Sequence, residues 1–158
     1  MELILAYDRQ EEVRMLFLEY TRSILTQGEE VRRCLEAQHY GQEVENLAEK
    51  YGPPGGRLYL AVENGRAVGC GALTRNSKDC CEIKRLYVRP EGRGLGVGRT
   101  LVRQLIQDAR EMGYRFMRLD TFPFMETAIG MYRRLGFYPI SRYNDNPAET
   151  AIFLQLDL

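Results

Sequence analysis

Residues 84–103 read KRLYVRPEGRGLGVGRTLVR, and the rest of the chain is read outward from them. Leu86, Tyr87 and Val88 form the end of an apolar strand that breaks at Arg89-Pro90. A turn with Gly92, Gly94, Gly96 and Gly98 follows and runs into an amphipathic helix, with Leu101, Val102, Leu105, Ile106 and Ala109 on one face. Such a junction suits an anion. Glycines let the backbone approach a ligand closely, and the first helical turn offers unpaired N–H groups at the positive end of the helix dipole. Charge agrees: Lys84, Arg85, Arg89, Arg93, Arg99 and Arg103 face one acid, Glu91, in a chain of formal net charge zero.

Two familiar phosphate loops do not fit. Gly98 is followed by Arg99 and Thr100 with no lysine, which excludes the P-loop pattern, and the strictly alternating glycines do not spell G-x-G-x-x-G. What matches is R-x-x-G-x-G at Arg93, Gly96 and Gly98, followed about 35 residues later by ETAIGMYRRLGF at 126–137. With both blocks in this order, the sequence resembles the GNAT superfamily of acyl-CoA-dependent N-acyltransferases from about Arg57 onward, and more loosely before it. The resemblance implies an α/β fold, a mixed and mostly antiparallel sheet of about seven strands with helices on both faces. It also implies acetyl-CoA as co-substrate and an amine as acceptor. The coenzyme would be held by backbone groups of Leu86, Tyr87 and Val88 and by the turn Arg93, Gly94, Leu95, Gly96, Val97, Gly98, Arg99 and Thr100.

At 158 residues the chain is expected to form one domain, 1–158. Twenty-two cations balance 22 acids, so nothing calls for nucleic acid. There is no apolar run near 18 residues and the N-terminus lacks the cations of a signal peptide, so a cytoplasmic protein without a membrane partner is expected. Cys34, Cys70, Cys80 and Cys81 show no C-x-x-C pair, and with a single histidine, His39, the expectation is reduced buried thiols and no metal. A homodimer is compatible with all of this.

In order, residues 2–6 read as a short strand, and Asp8 with Glu11 reads as a capping box for a helix with Val13, Leu16, Phe17, Tyr20 and Ile24 on its buried stripe. Residues 29–50 read as two short helices or one broken at Gly41, with His39 in a non-catalytic role. Residues 57–73 form a hairpin around Asn64-Gly65, and the central strand spans Cys80–Val88. The helix after the turn runs from about 96 to 112. A strand at 115–121, the helix at about 125–135, and a pair of strands near 137–140 and 151–156 complete the chain.

An amine must lose a proton before it attacks a thioester, and at pH 7 only about one lysine-like amine in 2,500 is free base. Period-2 alternation puts Glu82, Lys84, Leu86 and Val88 on one face of the central strand. Glu82 is the candidate base, with an ion pair to Lys84 or an arginine as its alternative. Tyr132, four residues before Gly136-Phe137, matches the tyrosine that in this family protonates the departing thiolate; packing on the face with Ala128 and Leu135 is its alternative. Met125 stands where many members carry an asparagine. Tyr87, Tyr143, Asn144 and Asp145 face either the acceptor pocket or solvent. A non-catalytic acyl-CoA sensor or partner-binding module would keep the turn but need neither Glu82 nor Tyr132.

Overall fold

The structure is a computed structural model that describes residues 1–158. Seven strands form one sheet in the order β1-β2-β3-β4-β5-β7-β6. They are β1 (Glu2–Leu5), β2 (Arg57–Glu63), β3 (Arg66–Arg75), β4 (Cys80–Val88), β5 (Phe116–Thr121), β6 (Tyr138–Ile140) and β7 (Ile152–Asp157). Only β4 and β5 pair in parallel; every other pair is antiparallel. Asn64 and Gly65, with φ of 50° and 78°, make the two-residue turn between β2 and β3, as that dipeptide dictates.

Helices cover both faces. On one side α1 (Gln10–Leu25) and the short helices α2 (Glu29–Ala37), α3 (Tyr40–Glu45) and α4 (Leu47–Tyr51) close over the sheet. Their core joins Val13, Leu16, Phe17, Leu47 and Tyr51 to Leu58, Leu60, Cys70 and Ala72 of β2 and β3. On the other side lie α5 (Val97–Glu111) and α6 (Glu126–Arg134). There Leu101, Val102, Leu105 and Ala109 pack on Leu73, Cys81, Ile83 and Met117. Leu101 and Leu105 are wholly buried, each worth about 1.5–3 kcal/mol of removed apolar surface. A smaller cluster joins Ile24, Val31, Cys34 and Leu35 to Phe122 and Ala148 at the edge of the first layer. All four cysteines are free and buried. No helix is long and apolar enough to cross a membrane.

Three local expectations are corrected. The helix α1 starts at Gln10 behind Arg9 with no side-chain cap, and Arg9 pairs with Glu12, so the Asp8–Glu11 box does not form. Residues 29–50 make three helices rather than two, and the break falls at His39, exposed and left-handed at φ 53°, while Gly41 lies inside α3. The alternation along β4 also fails midway. Cys81 and Ile83 face α5, and so do Leu86 and Val88. Arg85, at φ 54°, absorbs the change of parity in a bulge opposite Gly71, where Cys70 pairs with Tyr87 but Ala72 pairs with Lys84. Glu82 and Lys84 therefore do not share a face with Leu86 and Val88. They look toward the α1–α4 layer, where Arg85 meets Glu43 and Tyr87 meets Glu19.

Candidate functional site

Beyond a 3-10 turn at Pro90–Gly92, the chain turns through Gly94 (φ 79°) and Gly96 (φ 78°) into α5. No side chain caps that helix, and the backbone N–H groups from Gly94 to Arg99 have no backbone acceptor. Thr100 closes the row, since its N–H and its hydroxyl both donate to the Gly96 carbonyl at 3.0 Å. Gly98 sits at an ordinary helical φ. A methyl group there would lie 3.6 Å from Val88 Cγ2 and 3.8 Å from Met131 Sδ, so the fold itself has room for one. The missing side chain keeps the approach to these N–H groups open.

The cations around the turn divide in two. Arg89 is clamped by Glu19, its Nε at 2.9 Å and Nη2 at 2.6 Å, with Nη1 on the Ala67 carbonyl. Lys84 and Arg85 are paired on the far face. Arg93, which donates to the Val88 carbonyl at 3.2 Å, remains at the turn with Arg99 and Arg103. Leu95 is exposed at its tip.

Next to the turn, the two parallel strands part. β4 and β5 pair only at Cys80–Phe116, Cys81–Met117 and Glu82–Arg118. From Ile83 to Val88 the edge of β4 that faces β5 has no partner strand, so Leu86, Tyr87 and Val88 lie along an open main-chain edge. β3 holds the opposite edge at Tyr87 and Val88. An extended ligand with amide groups could pair there as a strand would.

Below the parting, on the α1–α4 side, two small adjoining cavities open to solvent and share Gln38, Lys84, Asp120 and Asn146. The first has apolar walls from Ile24, Val31, Leu35 and Phe122; the second is lined by Lys50, Glu82, Asn144 and Asp145. Tyr143 donates to Glu82 Oε2, and Lys84 Nζ lies 3.1 Å from Oε1. Asp120 accepts from Asn144 at 2.9 Å and Asn146 at 3.0 Å, with Lys84 at 3.8 Å. Burial pushes the Asp120 pKa up, but Lys84 and the two amides outweigh it and hold the carboxyl below its ordinary value. Glu43 behaves alike: burial raises it, while Arg85 and Lys50 bring it below the ordinary range.

Tyr132 of α6 packs on Phe137, edge to face with centroids 5.4 Å apart, so the packing alternative is real. Its hydroxyl has no hydrogen bond to the protein, and burial first and the nearby Tyr20 second push its pKa up. Tyr20 lines the apolar cavity. Cys34 also lines that cavity, and burial lifts its thiol above the ordinary range, which keeps it protonated and a poor nucleophile.

The structure thus places the glycine turn beside the open edge of β4, with Tyr132 in the core on the α5–α6 side and Glu82 on the other face, where Tyr143, Asn144 and Asp145 lie at the cavity. Tyr87 points away, its hydroxyl 3.5 Å from Glu19. Asp120, Asn146, Glu43 and Gln38 escaped sequence reading. A carboxylate at the end of an apolar strand, as in Leu119-Asp120, was the available signal for one of them. No group of His, Cys, Asp and Glu side chains has metal-holding geometry.

Comparison with known proteins gives a concordant picture. The profile of the acetyltransferase (GNAT) family matches residues 16–137. An uncharacterised N-acetyltransferase of Schizosaccharomyces pombe is 40% identical over 126 residues, covering 78% of this chain and 77% of that one. An acetyltransferase structure from Streptococcus agalactiae superposes with a TM-score of 0.78 at 20% identity over 99% of this chain and 98% of that one, a likeness of fold. A putative streptothricin acetyltransferase from Bacillus anthracis, solved with acetyl coenzyme A, is 25% identical with a TM-score of 0.62 over 70% of this chain and 66% of that one.

Proposed function

This chain belongs to the GNAT family of acetyltransferases and is an acetyl-CoA-dependent enzyme, and we propose that it moves the acetyl group to an amine by direct attack in a ternary complex. The observation that carries the reading is the parting of β4 from β5 between two unlike neighbours. On one side lie the free N–H groups of Gly94–Arg99, and on the other lies a cavity with carboxylates.

Acetyl-CoA then lies with its pyrophosphate on the turn, where Arg93 and Arg99 add charge to the helix dipole. Its pantetheine arm runs along Leu86–Val88, and a main-chain N–H there polarises the thioester carbonyl. The amine enters from the cavity and gives its proton to Glu82, directly or through water. Its lone pair forms the C–N bond, and the C–S bond breaks with its electron pair on sulfur. Tyr132, kept protonated by its burial, donates to that thiolate. The Lys84 pair holds Glu82 in place and leaves it facing the cavity, so the ion-pair and base roles coexist.

Thiol release from acetyl-CoA with a mixed panel of amines tests the reading. Release that depends on an added amine, with the acetylated amine found by mass spectrometry, is expected. Coenzyme binding without release for any amine would overturn it.

A further inference from the structure

On the acetyl-transfer reading just given, the cavity's charges describe its acceptor, and we propose that this is an apolar α-amino acid, held as a zwitterion. Two clusters of charge border the adjoining cavities, and neither is balanced. At one, a single carboxylate, Glu43, serves two cations, Arg85 at 2.7 Å and Lys50 at 2.6 Å, leaving a surplus of one positive charge. At the other a single cation, Lys84, serves two buried carboxylates, Glu82 at 3.1 Å and Asp120 at 3.8 Å, leaving a surplus of one negative charge among the buried groups, with the exposed Asp145 adding to it. Arg85 and Asp120 both line one cavity, with Gln38, Lys84 and Asn146, and its apolar wall includes Ile24, Val31, Leu35 and Phe122. A carboxylate, an ammonium and an apolar side chain complete it.

Arg85 is the sharper half of the observation. It is only 8% exposed and sits in a left-handed conformation that costs free energy unless its surroundings enforce it. Its Nε donates to Glu43 at 2.7 Å, and Nη2 donates to Gln38 at 2.8 Å and to Glu43 at 3.1 Å. Nη1 has no acceptor in the protein, and it is not among the buried polar atoms sealed from solvent. An unpaired guanidinium edge on a buried arginine at a cavity wall fits a carboxylate, which it can grip with charge-assisted hydrogen bonds. The ammonium of the same ligand falls to Asp120 and Glu82. It passes one proton there, attacks the acetyl carbon, and leaves as the amide. Sulfur takes a proton and departs as the CoA thiol, so each turnover releases one proton overall.

The test compares L-leucine with L-leucinamide, 3-methylbutylamine and L-aspartate as acceptors, read by thiol release as kcat/KM. Leucine is expected to exceed the two carboxylate-free amines by about 10²-fold or more, because they leave the Arg85 edge unpaired. Aspartate, with a second charge against the apolar wall, is expected to be poor. Equal or faster turnover of leucinamide or 3-methylbutylamine overturns the proposal and leaves acetyl transfer standing. Thiol release with no amine at all overturns both. Arg85→Gln should collapse the leucine-to-leucinamide ratio toward one. Should that variant not fold, Lys50→Gln, at a half-exposed side chain, should still lower the ratio several-fold. A ratio unchanged in the folded variant counts against the assignment.

Discussion

On the proposed reading Tyr132 and Glu82 have separable roles, and single-atom changes distinguish them. Tyr132→Phe keeps the ring on Phe137 and removes a hydroxyl that has no protein partner. Stability and acetyl-CoA affinity should stay the same, while turnover falls at least about tenfold, most for poorly reactive amines. Wild-type turnover in this variant would reduce the residue to packing. Glu82→Gln keeps the shape of a side chain gripped by Tyr143 and Lys84. It should lower the rate by about 10²–10⁴-fold at neutral pH and recover in part at higher pH, where more of the amine is already deprotonated. A rate profile matching wild type from pH 6 to 9 would leave Glu82 as an ion pair alone.

At the scale of elements, the turn into α5 yields a test with opposite signs. Gly98→Ala adds a methyl that the fold accommodates at 3.6 and 3.8 Å, and alanine is the better helix former by up to about 1 kcal/mol. The free protein should melt at the same temperature or slightly higher, while CoA affinity measured by calorimetry falls at least about tenfold. Unchanged affinity would remove the pyrophosphate from this turn. Gly96 is a poorer probe, because its φ of 78° strains any side chain whether or not a ligand binds. The turn was legible in sequence because everything it needs is local: glycines, an unbroken apolar face and no side-chain cap. The β4 bulge was not. Neither glycine nor proline marks Arg85, and the register slip is set by β3 alongside. The cation cluster misled for the same reason, since Arg89 finds Glu19 and Arg85 finds Glu43 from distant stretches of chain. Residues 29–50 were misjudged because the break falls at the left-handed His39, a conformation that no glycine marks, while Gly41 stays helical.

Over the whole molecule, the hairpin and the amphipathic helices follow from alternation and period and the seven-stranded, two-layered plan from the family resemblance, whereas the cavities beside β4 are assembled from many separate stretches and have no motif. Their buried charges also shape stability. Glu43 and Asp120 have folded pKa values below their unfolded ones. Their contribution is complete above the unfolded values near pH 4 and is lost as pH falls through the lower folded values. Urea unfolding should therefore show stability declining from about pH 4 downward. Glu43→Gln leaves Arg85 without its counter-charge and should cost about 3–5 kcal/mol at pH 7, with the gap to wild type narrowing by pH 3. A gap constant from pH 7 to 3 would show that the carboxylate's charge is immaterial.

The open edge of β4 carries one more consequence. On the proposed reading the sheet is complete only when a coenzyme arm lies along Ile83–Val88, so acetyl-CoA acts as a strand that the gene does not encode. Amide protons on that edge should exchange quickly in the free enzyme and slow sharply on loading. Because only the folded chain offers the edge, each tenfold rise in free coenzyme above its dissociation constant adds about 1.4 kcal/mol to the unfolding free energy. The protein's resistance to proteolysis then becomes a gauge of acyl-CoA supply.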